Sequence, residues 1–231
     1  MKQGLSPNEF LKSDIIAELN KEKQQFEILT ALSTEERAEY SLLLEKLMGQ
    51  HEAASVSTTA EKGKTLEKLV SFLFESTHLY EAKTNLRTSS NEIDTLMSLN
   101  ENGRRHVYNG LHAIKNDLIL AESKNYHGKI SVTWVGKVQS LMQYTDCRLA
   151  IIFSYHGLSG KDWKDAVGLT KKIYLGSPKD DKYIILDFNL KDFQKVNEGI
   201  PFLSLIYDKI ISLRTDTNFE SAIAPHPAEE Q

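Results

Sequence analysis

Hydrophobic positions follow a helical spacing over the first fifty residues and then shift between helical and strand-like runs. Leu11, Ile15, Leu19, Phe26 and Leu29 mark one stripe, and Tyr40, Leu43, Leu44 and Leu47 mark a second. Each stripe has a start signal in front of it. Ser6-Pro7-Asn8-Glu9 is a capping box with proline at the first helical position, and Ser33-Thr34-Glu35-Glu36 is another. Gly49 stands where the second helix should stop. The spacing therefore predicts a helical hairpin over residues 6–50, its two helices antiparallel across a short connection. The segment His51 to Thr59 is small and polar without periodicity, and reads as a linker.

From Glu61 onward the pattern is mixed. Leu66, Leu69, Val70, Leu73 and Phe74 give an amphipathic helix. Two strand-like runs follow, Leu79–Leu86 and Ile93–Leu99, joined by the turn-rich Arg87-Thr88-Ser89-Ser90-Asn91. Three apolar runs read as buried strands: Asp117–Ser123, Arg148–Ser154 and Tyr183–Phe188. Helices are predicted over Val132–Tyr144, Lys161–Thr170 and Phe202–Leu213. This order predicts an α/β (α+β) sheet flanked by helices. It divides the chain into a hairpin and linker (1–58), a main domain (59–215) and a tail (216–231) with two prolines and four acidic residues, expected to be disordered.

Composition narrows the class. The chain has 231 residues, 40% hydrophobic and 26% charged, as in ordinary globular proteins. No apolar run approaches a membrane span, and the N-terminal residues lack a signal-peptide core. The single cysteine, Cys147, excludes an internal disulfide and a Cys-rich zinc site, so a cytoplasmic protein is expected. The net charge of −4 announces no nucleic-acid binding for the whole chain, but it is unevenly spread. Residues 1–60 carry six Lys/Arg against ten Asp/Glu, whereas residues 101–137 carry six against three.

One apparent motif fails. Thr58 to Thr65 ends in Gly-Lys-Thr like a phosphate-binding loop, but it lacks the first glycine and a preceding strand. A stronger constellation combines Asp94 with Glu122 and Lys124. Side chains alternate along a strand, so Glu122 and Lys124 share a face at the end of an apolar run. Charges ending a buried strand are costly unless compensated. Two carboxylates form a hard oxygen site suited to Mg²⁺, and a nearby lysine can assist a water or screen charge on phosphate.

The order Asp, spacer, Glu-x-Lys at the end of an apolar strand resembles the PD-(D/E)xK, or restriction-endonuclease-like, nuclease superfamily. Gly63 to Glu67 matches a Gly-x-x-x-Glu found in its Mrr-like branch, and Glu122-Ser123-Lys124-Asn125 matches that branch's Glu-x-Lys-Asn. Ile93 replaces the proline often found before the aspartate. The resemblance covers about residues 61–190 and implies a central mixed sheet flanked by helices and a Mg²⁺- or Mn²⁺-dependent DNA endonuclease. By it, Asp94, Glu122 and the Ser123 carbonyl bind the metal, Glu67 is an accessory ligand, directly or through water, and Lys124 assists water attack. Fold-level analogy adds a role in bacterial anti-phage defence. The alternative is a catalytically silent nuclease-fold protein that binds nucleic acid or serves as a scaffold.

With no basic excess overall, DNA contacts are expected from a local patch of Arg104, Arg105, Lys129 and Lys137, with Asn125 beside it. Taken singly, Glu67 and Asp94 also read as solvated residues, and Glu122–Lys124 as a same-face ion pair. Gln143 is a weaker candidate, and no His-x-x-x-His pair offers a zinc site. Trp134 and Trp163 read as anchors, or as rings that could stack on a base. Ile16, Ile28, Leu42 and Met48 lie off the hairpin's stripes, so a homodimer or a partner protein is expected there.

Overall fold

Among the described residues, five strands form one sheet in the simple order β1-β2-β3-β4-β5. The computed structural model describes residues 7–52, 57–87, 92–110, 112, 114, 116–160 and 165–215; the side chains of some further positions, Asp94 among them, lie outside the description. The strands are β1 (Tyr80–Arg87), β2 (Glu92–Leu99), β3 (Leu118–Ser123), β4 (Leu149–Phe153) and β5 (Ile184–Phe188). β1, β2 and β3 are antiparallel neighbours, whereas β3, β4 and β5 run parallel. The eight helices among the described residues are α1 (Pro7–Thr30), α2 (Thr34–Gly49), α3 (Thr59–Glu75), α4 (Glu101–Tyr108), α5 (Val132–Thr145), α6 (Ala166–Gly176), α7 (Leu190–Asn197) and α8 (Phe202–Thr215). A mixed five-stranded sheet flanked by helices is the α/β architecture that the order of runs implies.

Alternation along the strands builds two cores. One face sends Met97, Ile119, Ala121, Leu149, Ile151 and Phe153 against α2, α3, α7 and α8. The other sends Leu120, Ala150, Ile152 and Ile185 against α5 and α6. The central strand β3 is thus covered on both faces, as its unbroken apolar run requires.

Local signals explain the helix starts. Ser33 Oγ accepts from the Glu36 N–H, and the Glu36 carboxylate returns the bond to the Ser33 N–H at 2.8 Å. Thr58 and Glu61 repeat the device at the head of α3, with the carboxylate 2.7 Å from the Thr58 N–H. The segment Gly63-Lys64-Thr65 is therefore interior helix and not a phosphate loop.

The hairpin departs from expectation. Tyr40, Leu43, Leu44 and Leu47 of α2 belong to the same core as Leu66, Leu69 and Phe74 of α3, so residue 58 does not mark a division of the core. The Tyr40 hydroxyl donates to the Phe193 carbonyl of α7 at 2.9 Å, buried. α1 does not lie along α2. Phe26, near its C-terminal end, packs on the rings of His106 and His112 at 5.9 and 5.6 Å, while Leu11, Ile15 and Ile16 are exposed. These aromatic contacts draw the helix end toward α4 instead of along its sequence neighbour.

Two short helices, α4 and α7, escape the apolar pattern because eight residues hold barely two turns. Their caps form them: Asn100 Oδ1 accepts from the Gly103 N–H at 2.9 Å, and Asn189 and Asp192 close a capping box. Gly103 lies so close to β1 that an added Cβ would stand 2.3 Å from the Leu79 carbonyl oxygen. The sixth helix starts at Ala166, later than its pattern suggests, behind Asp165 at its N-cap. The expected turn at 88–91, residues 53–56 of the linker, Ser6, Trp163 and the expected disordered tail 216–231 lie outside the described residues. No helix among the described residues is long and apolar enough to cross a membrane.

Candidate active site

Glu122 stands at the C-terminal end of β3 on the face covered by α5 and α6, with none of its surface exposed. The neighbouring residues Leu120 and Ala121 point to opposite cores, which fixes that orientation by alternation. Two ammonium groups face the carboxylate. Lys124 Nζ is 2.9 Å from Glu122 Oε1, and Lys137 Nζ, reaching down from α5, is 4.0 Å from the same oxygen. Lys124 is nearly buried, at 13% side-chain exposure, whereas Lys137 is 43% exposed. A carboxylate stripped of water in this way is tolerable because the opposite charge is beside it.

Trp134 of α5 completes the cluster. Both ammoniums lie 4.7 Å from its ring centroid, the distance of a cation–π contact. On directly opposite faces they would stand farther apart than their shared carboxylate oxygen permits, so they do not straddle the ring face to face. Tyr126 packs beside the indole, its ring centroid 5.9 Å away. The sequence pointed to Trp134 only as an anchor or stacking ring; its place here follows from the first turn of α5 starting beside the strand end.

Asp94 lies in β2. Thr95 pairs with Ala121 in the antiparallel register, so the backbone one residue earlier comes opposite Glu122. Its side chain is outside the described residues. Among the described side chains, no group of three or more His, Cys, Asp or Glu is placed to hold a metal ion. Ser123 ends β3 and is buried. Glu67 is exposed on α3, one turn beyond Gly63.

The expected basic patch is split. Arg104 and Arg105 belong to α4, which follows the end of β2, and Arg104 Nη1 donates to the Leu99 carbonyl at 2.6 Å. Leu99 is bonded to Asp117 at the start of β3, while Glu122 is at its other end, about 17 Å along the strand. An antiparallel partner necessarily brings its exit turn to the opposite edge. Lys129 and Lys137 remain on the Glu122 edge, both exposed.

Asn125 is also placed differently from expectation. It is buried, and both ends of its amide are committed inside the protein: Nδ2 donates to the Lys62 carbonyl at 2.8 Å, and Oδ1 meets His51 Nε2 at 2.6 Å. It ties α2 and α3 to the strand end. His51 in turn lies flat on Tyr155, with ring centroids 3.8 Å apart. Burial holds the His51 and His156 imidazoles below the usual histidine range.

A second carboxylate shares the row of Glu122. The register Glu122↔Ile152↔Asp187 sets Asp187 of β5 on the same face, about 10 Å across the sheet. Burial raises its carboxyl above the ordinary range, and Asn189 Nδ2 donates to Oδ2 at 2.9 Å. The signal was present in the sequence, since Asp187 interrupts an apolar strand just as Glu122 does. Comparison of the chain with protein-family models, with curated proteins and with solved structures finds no match.

Proposed function

We propose that the protein is a metal-dependent endonuclease that hydrolyses phosphodiester bonds of DNA. The observation that carries this reading is the buried Glu122 carboxylate at a central strand end, 2.9 Å from Lys124, with the backbone of Asp94 across the ladder. Carboxylate oxygens are the donors Mg²⁺ prefers, so Glu122 and Asp94, with the Ser123 carbonyl and Glu67 as further oxygens, suit that ion or Mn²⁺ in kind. The cation would supply Lewis acidity toward a phosphoryl oxygen. Lys124 would orient or take a proton from the attacking water, and Lys137 would draw a phosphate toward the same edge. The restriction-endonuclease-like resemblance agrees with a mixed sheet flanked by helices, and the defence role stays part of the proposal.

A silent nucleic-acid-binding or scaffold protein is the second reading. It is favoured by Lys137, since two ammoniums already balance one carboxylate without a cation. Incubation with plasmid, linear and single-stranded DNA, with and without Mg²⁺ or Mn²⁺, separates the two. Metal-dependent cutting that Glu122→Ala and Lys124→Ala both abolish supports the nuclease; binding without cutting by the wild type supports the alternative.

A further inference from the structure

The turn that follows α2 is joined to the end of β3, where Glu122 and Lys124 stand. Asn125 follows Lys124 directly, and its Nδ2 donates to the Lys62 carbonyl of α3. That bond turns Oδ1 toward His51 Nε2 at 2.6 Å. An amide oxygen can only accept, so His51 carries its proton on Nε2, and Nδ1 bears the lone pair in the neutral ring. The ring is clamped flat against Tyr155, tilted by only 7°, with the ring centroid of His156 at 5.3 Å and that of His127 at 6.4 Å. The backbone at Lys124 is fixed from the other side by its N–H donating to the Phe153 carbonyl at 2.8 Å.

The titratable and charged groups facing His51 come from three directions. Lys62 comes from α3, His127 from the segment after β3, and Tyr155 and His156 from the segment after β4. Lys62 is cationic, His156 turns cationic on acidification, and no carboxylate stands among these groups. A second proton on His51 would go to Nδ1 and add a desolvated positive charge within this set. The Nε2–H bond would survive, but the charged ring would be repelled from the Lys62 ammonium.

We infer that His51 is a positioning residue for Lys124, acting through Asn125, and that protonating its ring loosens this joint. The direction follows from burial: the folded state favours the neutral ring. The contribution is full above the ordinary histidine range and is lost as the pH falls below it, toward the lowered range of the folded ring. Its effect on cleavage rests on the nuclease reading; the joint itself does not.

The test is amide exchange at Lys124 by NMR, expressed as protection, in the full chain at about pH 5 and about pH 7.5. Wild type is expected to lose protection several-fold at the lower pH. His51→Gln keeps an N–H donor without a titrating ring and should lose most of that dependence, whereas His51→Ala should be poorly protected at both pH values. Unchanged wild-type protection, or full pH dependence retained in His51→Gln, overturns the inference. Cleavage is followed in the same samples. Expected exchange without cutting at any pH leaves the joint standing and removes the nuclease reading. Cutting with pH-independent exchange does the reverse.

Discussion

Lys124 and Glu122, two residues apart across the end of β3, meet at 2.9 Å with the carboxylate wholly buried and the lysine almost so. Removing one partner of such a pair costs far more than a surface ion pair contributes, because the remaining charge is stranded. Lys124→Met should therefore destabilise the protein by about 3 kcal/mol, while Lys137→Met, whose ammonium is farther off and half exposed, should cost less than about 1 kcal/mol. Pairing Lys124→Met with Glu122→Gln should recover much of the loss. Denaturant unfolding of the four variants as a double-mutant cycle measures it, and additive losses would show that the two do not act as a pair.

The two halves of the basic patch should now behave differently. Lys129→Glu and Lys137→Glu should weaken DNA binding, and the salt slope should fall by about 0.9 for every phosphate that the replaced lysine had neutralised. Arg105→Glu, at the far edge of the sheet, should leave affinity and salt slope unchanged. Fluorescence titrations over a range of salt decide between them. An effect of Arg105 equal to that of Lys137 would mean that nucleic acid crosses the whole sheet.

Much of this arrangement was legible in the residues. Two strand-like runs and three apolar runs marked the five described strands within a residue or two, and Glu-x-Lys at the end of the run from Leu118 located the buried ion pair. What stayed hidden depends on contacts distant in sequence. His51 reads as linker until Tyr155 and Asn125 are brought beneath it. Arg104 and Lys137 look like one patch in a count of charges, and only the antiparallel turn of β2 into β3 separates them. α4 has a cap but no apolar stripe, and the stripe of α7, Leu190, Phe193 and Val196, is too short for periodicity to mark a helix.

Acid sensitivity should centre on His112. Its Nδ1 accepts from the Ile114 N–H at 3.4 Å, so its Nε2–H donates to the Tyr80 hydroxyl at 2.9 Å, and burial pushes its pKa down to about 4. The unfolded chain binds the proton near 6.5, so the neutral ring's contribution is full above that value and is lost as the pH falls toward 4. The difference corresponds to about 3 kcal/mol. His112→Gln should be less stable at neutral pH and should flatten the acid limb of stability against pH between about 6.5 and about 4. A wild-type-shaped limb in the variant would place the sensitive group elsewhere.

The two N-terminal helices should also separate in their effects. α2 buries Leu44 and Leu47 in the main core, so Leu44→Ala should cost about 2–5 kcal/mol, and removing residues 1–55 should expose that core and leave no cooperative unfolding transition. The N-terminal half of α1 has Leu11 and Ile15 exposed by 60% and 53%, so replacing both with serine should change the unfolding free energy by less than about 1 kcal/mol. The proposed contact with a second copy or another protein would use the exposed apolar positions, Leu11, Ile15, Ile16 and Ile28 of α1 together with Leu42 of α2. Sedimentation of the wild type beside the double serine variant tests it. A fall from dimer to monomer with stability unchanged would place a contact between copies on that face, and a monomer in both would remove the homodimer from the proposal.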